Sequence, residues 1–420
     1  MAHESFDPPA DSRVTSALDS LIHVMSRGRP QDISVQLGDG NGSDAVLERY
    51  AVVPNLENPR ALLPLNGAGA ALGTALGQHA AGAASPLVRA AARGLQLANL
   101  VGLARPLLRH RLTVASVDPE RTETELHTFL SEALGRKDFV TSIRIAPRRP
   151  NGKPVVQAID PDGTVRGYAK FGCEPLTRRL VRHEAEALRE LVDLTRGTFL
   201  RVPPVLYSGE WHGMEAIVLA PLSGHPFRLR SVSDMPVDAC IALAALRPRA
   251  RAALGESCFW QRAKAQILDI LPVLSERDRD VVMAGRDRIE RWADSSLPMG
   301  QCHGDWIPAN ISEANDGCYN VWDWELSDSG SPLGIDAMHF VLQWELRSGR
   351  VNDALAERLL RLGRDALHHQ GLDPRWAPVL VILNLLRMII LWGEARAAAP
   401  MLGEGDRRYI RVLEAVVARL

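Results

Sequence analysis

The sequence predicts an α+β chain in which a sheet-rich part precedes a helical part, with an extra region ahead of both. Three observations carry this. Strand-length runs separated by turn signals fill residues 139–219, and helical patterns fill 237–292 and 351–420. Between those two helical blocks lies one stretch, Gln301–Glu325, that is rich in Gly, Pro, Asp and Asn and ends in strand-forming residues.

At 420 residues the chain has room for two or three domains with their own cores. A hydrophobic content of 46% with 24% charged residues is that of a folded globular protein, not a disordered one. The net charge of −1 offers no global field for nucleic acid, so no nucleic-acid partner is expected. The five cysteines are odd in number and form no C-x-x-C pair. With no secretory signal at the amino terminus, they read as reduced thiols of a cytoplasmic protein. Lysine occurs only at positions 137, 153, 170 and 264. The arginine bias suggests a GC-rich bacterial source, and it makes each lysine an exception worth placing.

Residues 1–30 carry early Pro, Ser, Asp and Gly and read as a fraying terminus. Strand-like runs at 48–54 and 60–65 contain Pro54 and Pro64, which point to edge strands or turns. Ala61–Val88 has no charged residue, but its Ala and Gly content and its interruptions argue for small-residue helix packing, with no stable membrane insertion. A helical pattern with arginines off its apolar face follows to His110. Residues 1–115 show no chemistry. They read as an accessory N-terminal region of unknown role, a candidate surface for a protein partner.

Glu120–Gly135 reads as a helix stopped by its glycine. Strands follow at 139–146, 154–159 and 165–171, the last two joined by the tight turn Asp160–Gly163. A helix from about Thr177 carries Glu184, with Leu188 and Leu191 four and seven positions later on the same face. Two further strands, 202–206 and 215–219, complete five, and Ala220–Gly224 connects them to the helical part. The tail from Val351 is helical, and its apolar stretch Trp376–Trp392, interrupted by Arg387, reads as a buried core helix.

The central stretch contains His303-Gly304-Asp305-Trp306-Ile307-Pro308-Ala309-Asn310, and Asp323 thirteen residues later within Val321-Trp322-Asp323-Trp324-Glu325. Phosphoryl transfer from Mg-ATP needs such a set: one carboxylate to orient and deprotonate a hydroxyl, then an amide oxygen and a second carboxylate for Mg²⁺. The stretch resembles the catalytic loop of the aminoglycoside phosphotransferase and choline kinase-like family, H-G-D-x-x-x-x-N followed by a metal-binding Asp. That loop is related to the H-R-D-x-x-x-x-N and D-F-G pair of protein kinases.

The resemblance implies a protein kinase-like two-lobed fold, with a five-stranded antiparallel N-lobe (116–222), a helical C-lobe (223–420) and an extra N-terminal domain (1–115). It implies Asp305 as catalytic base, His303 as the residue bracing the loop, and Asn310 and Asp323 as Mg²⁺ ligands. Lys170 would grip the ATP phosphates, held by Glu184. Arg148 and Lys153 lie in the connector where the phosphate-covering loop belongs, although no G-x-G-x-x-G is present; a solvated basic hairpin is the other reading. Leu219 and Pro221 would border the adenine at the hinge. Asp336, in Gly334-Ile335-Asp336, would bond back to the catalytic loop. Glu325 and Asp328 would face either the acceptor or solvent.

The implied activity is transfer of the ATP γ-phosphate to a hydroxyl of a small molecule such as a sugar, amino alcohol or antibiotic. A peptide hydroxyl is a further acceptor, and a nucleotide-binding pseudokinase or scaffold is the rival from another class. Residues 341–420 hold 12 arginines against nine acidic residues, the wrong sign for binding a polycationic antibiotic.

Overall fold

The structure is a computed structural model. It describes residues 33–38, 45–82, 86–116, 118, 120–145, 151–227, 229, 231–247, 250–347, 353–398 and 407–420. The expected fraying terminus and Arg148 lie outside the described residues.

The first seven strands are β1 (Ile33–Leu37), β2 (Ala45–Val53), β3 (Ala61–Pro64), β4 (Arg111–Ser116), β5 (Val140–Arg144), β6 (Val155–Ile159) and β7 (Val165–Gly172). They are followed by β8 (Leu200–Arg201), β9 (Val205–Trp211) and β10 (Met214–Leu219). Among the described residues, all of these except β8 form one nine-stranded antiparallel sheet in the order β1-β4-β2-β3-β5-β6-β7-β10-β9. Residues 33–116 are therefore joined by backbone hydrogen bonds to the five strands that follow. The seam is β3 against β5, with Ala61 opposite Arg144 and Leu62 opposite Ile143.

The runs containing Pro54 and Pro64 are inner strands, not edges or turns. Pro54 follows the last residue of β2 and Pro64 ends β3, so each missing N–H falls at a strand end. The Glu125–Leu134 helix is capped by the Thr124 hydroxyl, which accepts from His127 N, and is closed by Gly135 at φ +66. Its Leu126, Phe129 and Leu130 pack with Ala169, Phe171, Ala216 and Val218 on one face of the sheet. Part of the other face is covered by the Gly69–Gly82 helix through Ala71, Leu72, Ala75 and Leu76. Gly77 of that helix comes so close to the next one that an added Cβ would lie 2.8 Å from Gln96.

The helical half contains two small sheets that periodicity did not signal. One joins β11 (His225–Pro226), β14 (Ile311–Glu313), β15 (Tyr319–Val321) and β8; the other joins β12 (Ala250–Ala253), β13 (Ser296–Cys302) and β16 (Asp328–Pro332). Four of the seven strands are only two or three residues long, and the longest, β13, carries Pro298 and Gly300 within it, which mask its alternation. One helical segment among the described residues, Pro374–Ala398, is long and apolar enough to cross a membrane. Within it, 78% of the apolar window is buried inside the protein, as expected of a core helix.

Candidate active site

The Gln301–Glu325 stretch is held at both ends by one strand pair. Antiparallel pairing sets Gly300 opposite Ser331 and Cys302 opposite Asp328, so the chain leaves and re-enters the same small sheet. Within it, β14 and β15 form a hairpin with Ile311 opposite Val321, and Trp322 N donates to Asn310 O at 3.2 Å. The hairpin thus brings Trp322, the residue before Asp323, against Asn310 although twelve positions separate them.

The loop is braced from below by Asp336 in the first turn of the Ile335–Leu346 helix. Its carboxylate accepts from His303 N at 2.8 Å and Gly304 N at 2.9 Å, as the sequence implied. The buried His303 ring donates from Nε2 to Trp322 O at 3.0 Å and accepts at Nδ1 from Asp305 N at 3.2 Å. Both contacts suit the neutral ring protonated on Nε2. The buried Trp306 and Trp324 indoles meet this ring edge to face, at 5.8 and 4.6 Å between centroids.

Asp305 is held at both oxygens. Its Oδ1 accepts from His339 Nε2 at 2.9 Å and its Oδ2 from Asn310 Nδ2 at 3.0 Å. His339 Nδ1 faces the Asn384 side-chain amide at 3.2 Å. Burial pushes the Asp305 carboxyl up, but the bond and charge of His339 outweigh it and hold the group below the usual aspartate range. The sequence reading missed His339. A signal was present: it lies three residues after Asp336, one helical turn along on the face that meets the loop.

Lys170 arrives from β7 of the nine-stranded sheet. Ala169 and Phe171 point into the core under the Glu125–Leu134 helix, so by alternation Lys170 points into the cleft. Its Nζ lies 2.7 and 2.9 Å from the two Glu184 oxygens and 2.6 Å from Asp323 Oδ1. Glu184 is fully buried on the Pro175–Leu194 helix beside Val181 and Leu188, the inward position that its spacing predicted. Burial opposes the charge on Lys170, yet Asp323 and Glu184 more than reverse this and raise its pKa above the lysine range. Burial likewise opposes the charge on Asp323, and Lys170 with Lys153 holds it far below the ordinary value. Asp323 has φ +71 and ψ +54, a left-handed conformation that Asp tolerates better than most residues.

Glu325 does not lie in a solvated turn. It is buried and accepts from Lys153 Nζ through Oε2 and from Asn151 Nδ2 through Oε1 at 2.7 Å. Lys153 is accordingly buried and paired across the cleft, not exposed on a solvated hairpin. Burial raises the Glu325 carboxyl to about 7 against the opposing charge of Lys153. Asp328 pairs with Arg262. At the segment expected to form the hinge, Leu219 is buried, Pro221 is half-buried, and Ala220 N donates to Pro204 O at 2.9 Å.

The donor set fits a hard divalent cation. Asn310 spends its amide nitrogen on Asp305, at the backbone O and at Oδ2, which leaves the amide oxygen to ligate. Asp323 Oδ2 accepts no hydrogen bond among the described residues, and the side chain is 27% exposed toward the cleft. Glu184, Asp323 and Glu325 also bring carboxylate oxygens within 4.8 Å of one another, but two lysines already neutralise most of that charge.

Arg387, the break in the apolar tail, donates from Nη2 to Gly304 O at 3.3 Å and Leu326 O at 3.4 Å. A charge that looked like an interruption of a core helix thus ties that helix to the His303–Asn310 loop.

Removing the His339 contact should show in the pH profile. In His339→Leu the force that opposes burial of Asp305 is lost, so its carboxyl titrates at a higher pH. A base must be ionised, so the acid limb of kcat should move upward, with kcat at neutral pH falling about tenfold. An acid limb that stays in place would show that His339 does not tune Asp305.

No protein-family model matches the chain, and no curated relative matches it. Solved structures do. Choline kinase LicA from Streptococcus pneumoniae is 15% identical, covering 70% of this chain and 98% of its own, with a TM-score of 0.46. A putative fructosamine-3-kinase from Thermobifida fusca is 17% identical over 70% of this chain and 99% of its own, with a TM-score of 0.43. Aminoglycoside phosphotransferase APH(3'')-Id from Streptomyces rimosus, solved with ADP and streptomycin, is 15% identical over 57% and 90%, with a TM-score of 0.37. At these identities and TM-scores the likenesses stand beside the site geometry without adding to it. Among the solved structures this chain is similar to are aminoglycoside phosphotransferases and a choline kinase, the two kinds of enzyme named in the resemblance of the His303–Asn310 motif, and putative fructosamine-3-kinases.

Proposed function

We propose that the protein is an ATP- and Mg²⁺-dependent phosphotransferase that moves the γ-phosphate to a hydroxyl of a small molecule. The observation that carries this is one chain of contacts through the cleft. Asp305 is bonded to Asn310, the Asn310 carbonyl accepts from Trp322 N immediately before Asp323, and Asp323 is bonded to Lys170, which Glu184 holds in turn. Asp305 orients the acceptor hydroxyl and takes its proton as the oxygen attacks phosphorus. Lys170 exchanges part of its contact with Asp323 for the α- and β-phosphates, while Glu184 keeps it aimed. Mg²⁺ held by Asn310 and Asp323 would neutralise charge on the phosphates.

Residues 116–222 and 223–420 are proposed as the two lobes and 1–115 as accessory to them, in a bacterial cytoplasmic enzyme. Leu219 and Pro221 are proposed to border the adenine. The acceptor is proposed to be neutral or anionic, given the arginine excess of residues 341–420.

One observation favours the pseudokinase reading: Lys153, assigned to the phosphates, is already paired with Glu325. The test is release of γ-phosphate from Mg-ATP by the purified protein, with and without pools of sugars, amino alcohols and nucleosides. Acceptor-stimulated turnover is the expected result. Nucleotide binding with no turnover against any pool would favour the pseudokinase, and absence of nucleotide binding would overturn both readings.

A further inference from the structure

The Pro86–Leu100 helix is apolar on both sides: inward, Ala92 is buried and Leu95 and Ala98 pack against the core. Its inner side is also partly polar: Asn99 Nδ2 donates to Gly69 O at 2.6 Å and Gln96 Nε2 to Gly73 O at 3.2 Å, fixing it against the preceding helix. Its outer side is apolar. Leu87 is 82% exposed, Leu97 66% and Leu100 79%, and the run continues through Val101, Leu103 and Leu107. Seven of the 13 exposed large hydrophobic side chains among the described residues fall between positions 87 and 107. A soluble surface helix turns its apolar stripe inward, and contiguous exposed apolar patches mark interaction sites.

Charge indicates the partner. Between Glu57 and Asp118 the chain has no acidic residue and six arginines, although the whole protein carries a net charge of −1. Arg93, Arg105 and Arg109 are exposed around the leucines. Exposed leucines interspersed with arginines, in a segment of sequence without carboxylates, match an interfacial element that seats its apolar side chains below the phosphates of a lipid surface. A folded protein partner with an acidic rim is chemically the nearest competitor, but it would leave the most exposed leucines needing a complementary groove.

We propose that the face formed by residues 87–107 docks the protein peripherally on an anionic phospholipid surface. The face lies on the accessory part of the chain and includes none of the residues assigned to phosphoryl transfer.

The test is co-sedimentation of the full-length protein with vesicles of phosphatidylcholine alone and of phosphatidylcholine mixed with phosphatidylglycerol. Binding is expected to the mixed vesicles, weakening as salt is raised, with little to the neutral ones. Arg93→Glu with Arg109→Glu should lower the partition coefficient on the order of a hundredfold. Leu97→Ser with Leu100→Ser should lower it by more than about tenfold. Neither variant touches the core, so thermal melting should be unchanged in both. No binding to mixed vesicles would overturn the proposal, as would equal binding to both compositions or undiminished binding by both variants. A concentration-dependent dimer, abolished by the leucine variant and indifferent to vesicles, would assign the face to a second copy of the chain and overturn it as well.

Discussion

Asp305→Asn should lower kcat by about a thousandfold while leaving the affinity for Mg-ATP close to that of the wild type. A positioned general base typically contributes about 10²–10⁴-fold, and Asp305 touches neither Lys170 nor its Glu184 anchor among the described residues. The substitution keeps the shape of the side chain but not its bonding. The carboxylate accepts from both His339 Nε2 and Asn310 Nδ2. An amide has one acceptor oxygen, so it faces one of these donors with its own N–H. That mismatch should cost about 1–3 kcal/mol of stability, which equilibrium unfolding would read beside the kinetics. A variant retaining more than a tenth of wild-type turnover would exclude Asp305 as the base.

Gly304→Ala should disable the protein by a different route, through the fold of the loop. Gly304 has φ +87, and a Cβ there would lie 2.0 Å from Leu326 O and 2.7 Å from Arg387 Nη2. The backbone cannot drift to relieve this, because the Gly304 amide is held by Asp336. Conformational strain of about 1–3 kcal/mol and overpacking of a similar size together predict a loss of about 2–6 kcal/mol, with activity abolished. Gly317→Ala is the control. Gly317 also has positive φ, +81, but has nothing within 4 Å of its added Cβ. It should show the strain alone and keep its activity. Equal destabilisation by the two substitutions would mean that the close approach of Leu326 to Gly304 contributes nothing.

What the sequence disclosed and what it hid divide along the range of the interactions. The order of Lys170, Glu184, Asp305, Asn310 and Asp323 was readable because each sits in a short run with its own pattern. Glu184 could be told from Glu186 because helix periodicity is a local property that fixes which face a residue takes. The burial of Glu325 was not legible because its partner Lys153 is 172 positions away, and no local pattern carries a pairing at that range. The scarcity of lysine marked Lys153 as unusual but said nothing of what it meets. The same holds for β3 and β5: each is readable as a strand, but the ladder joining them depends on tertiary packing. His339 stayed hidden in a helix whose neighbouring residues are nearly all buried, where one more buried side chain draws no notice.

The uninterrupted sheet has a mechanical corollary. Strands repeat about every 4.8 Å across a sheet, so β1, seven places from β10, lies about 34 Å from the strand that enters the hinge. A closing rotation of about 10° at Ala220–Gly224 would sweep that far edge through about 6 Å. With Ala220–Gly224 as the hinge that the resemblance implies, residues 33–116 would behave as a lever arm, and a grip on them from outside would act as a brake on its rotation.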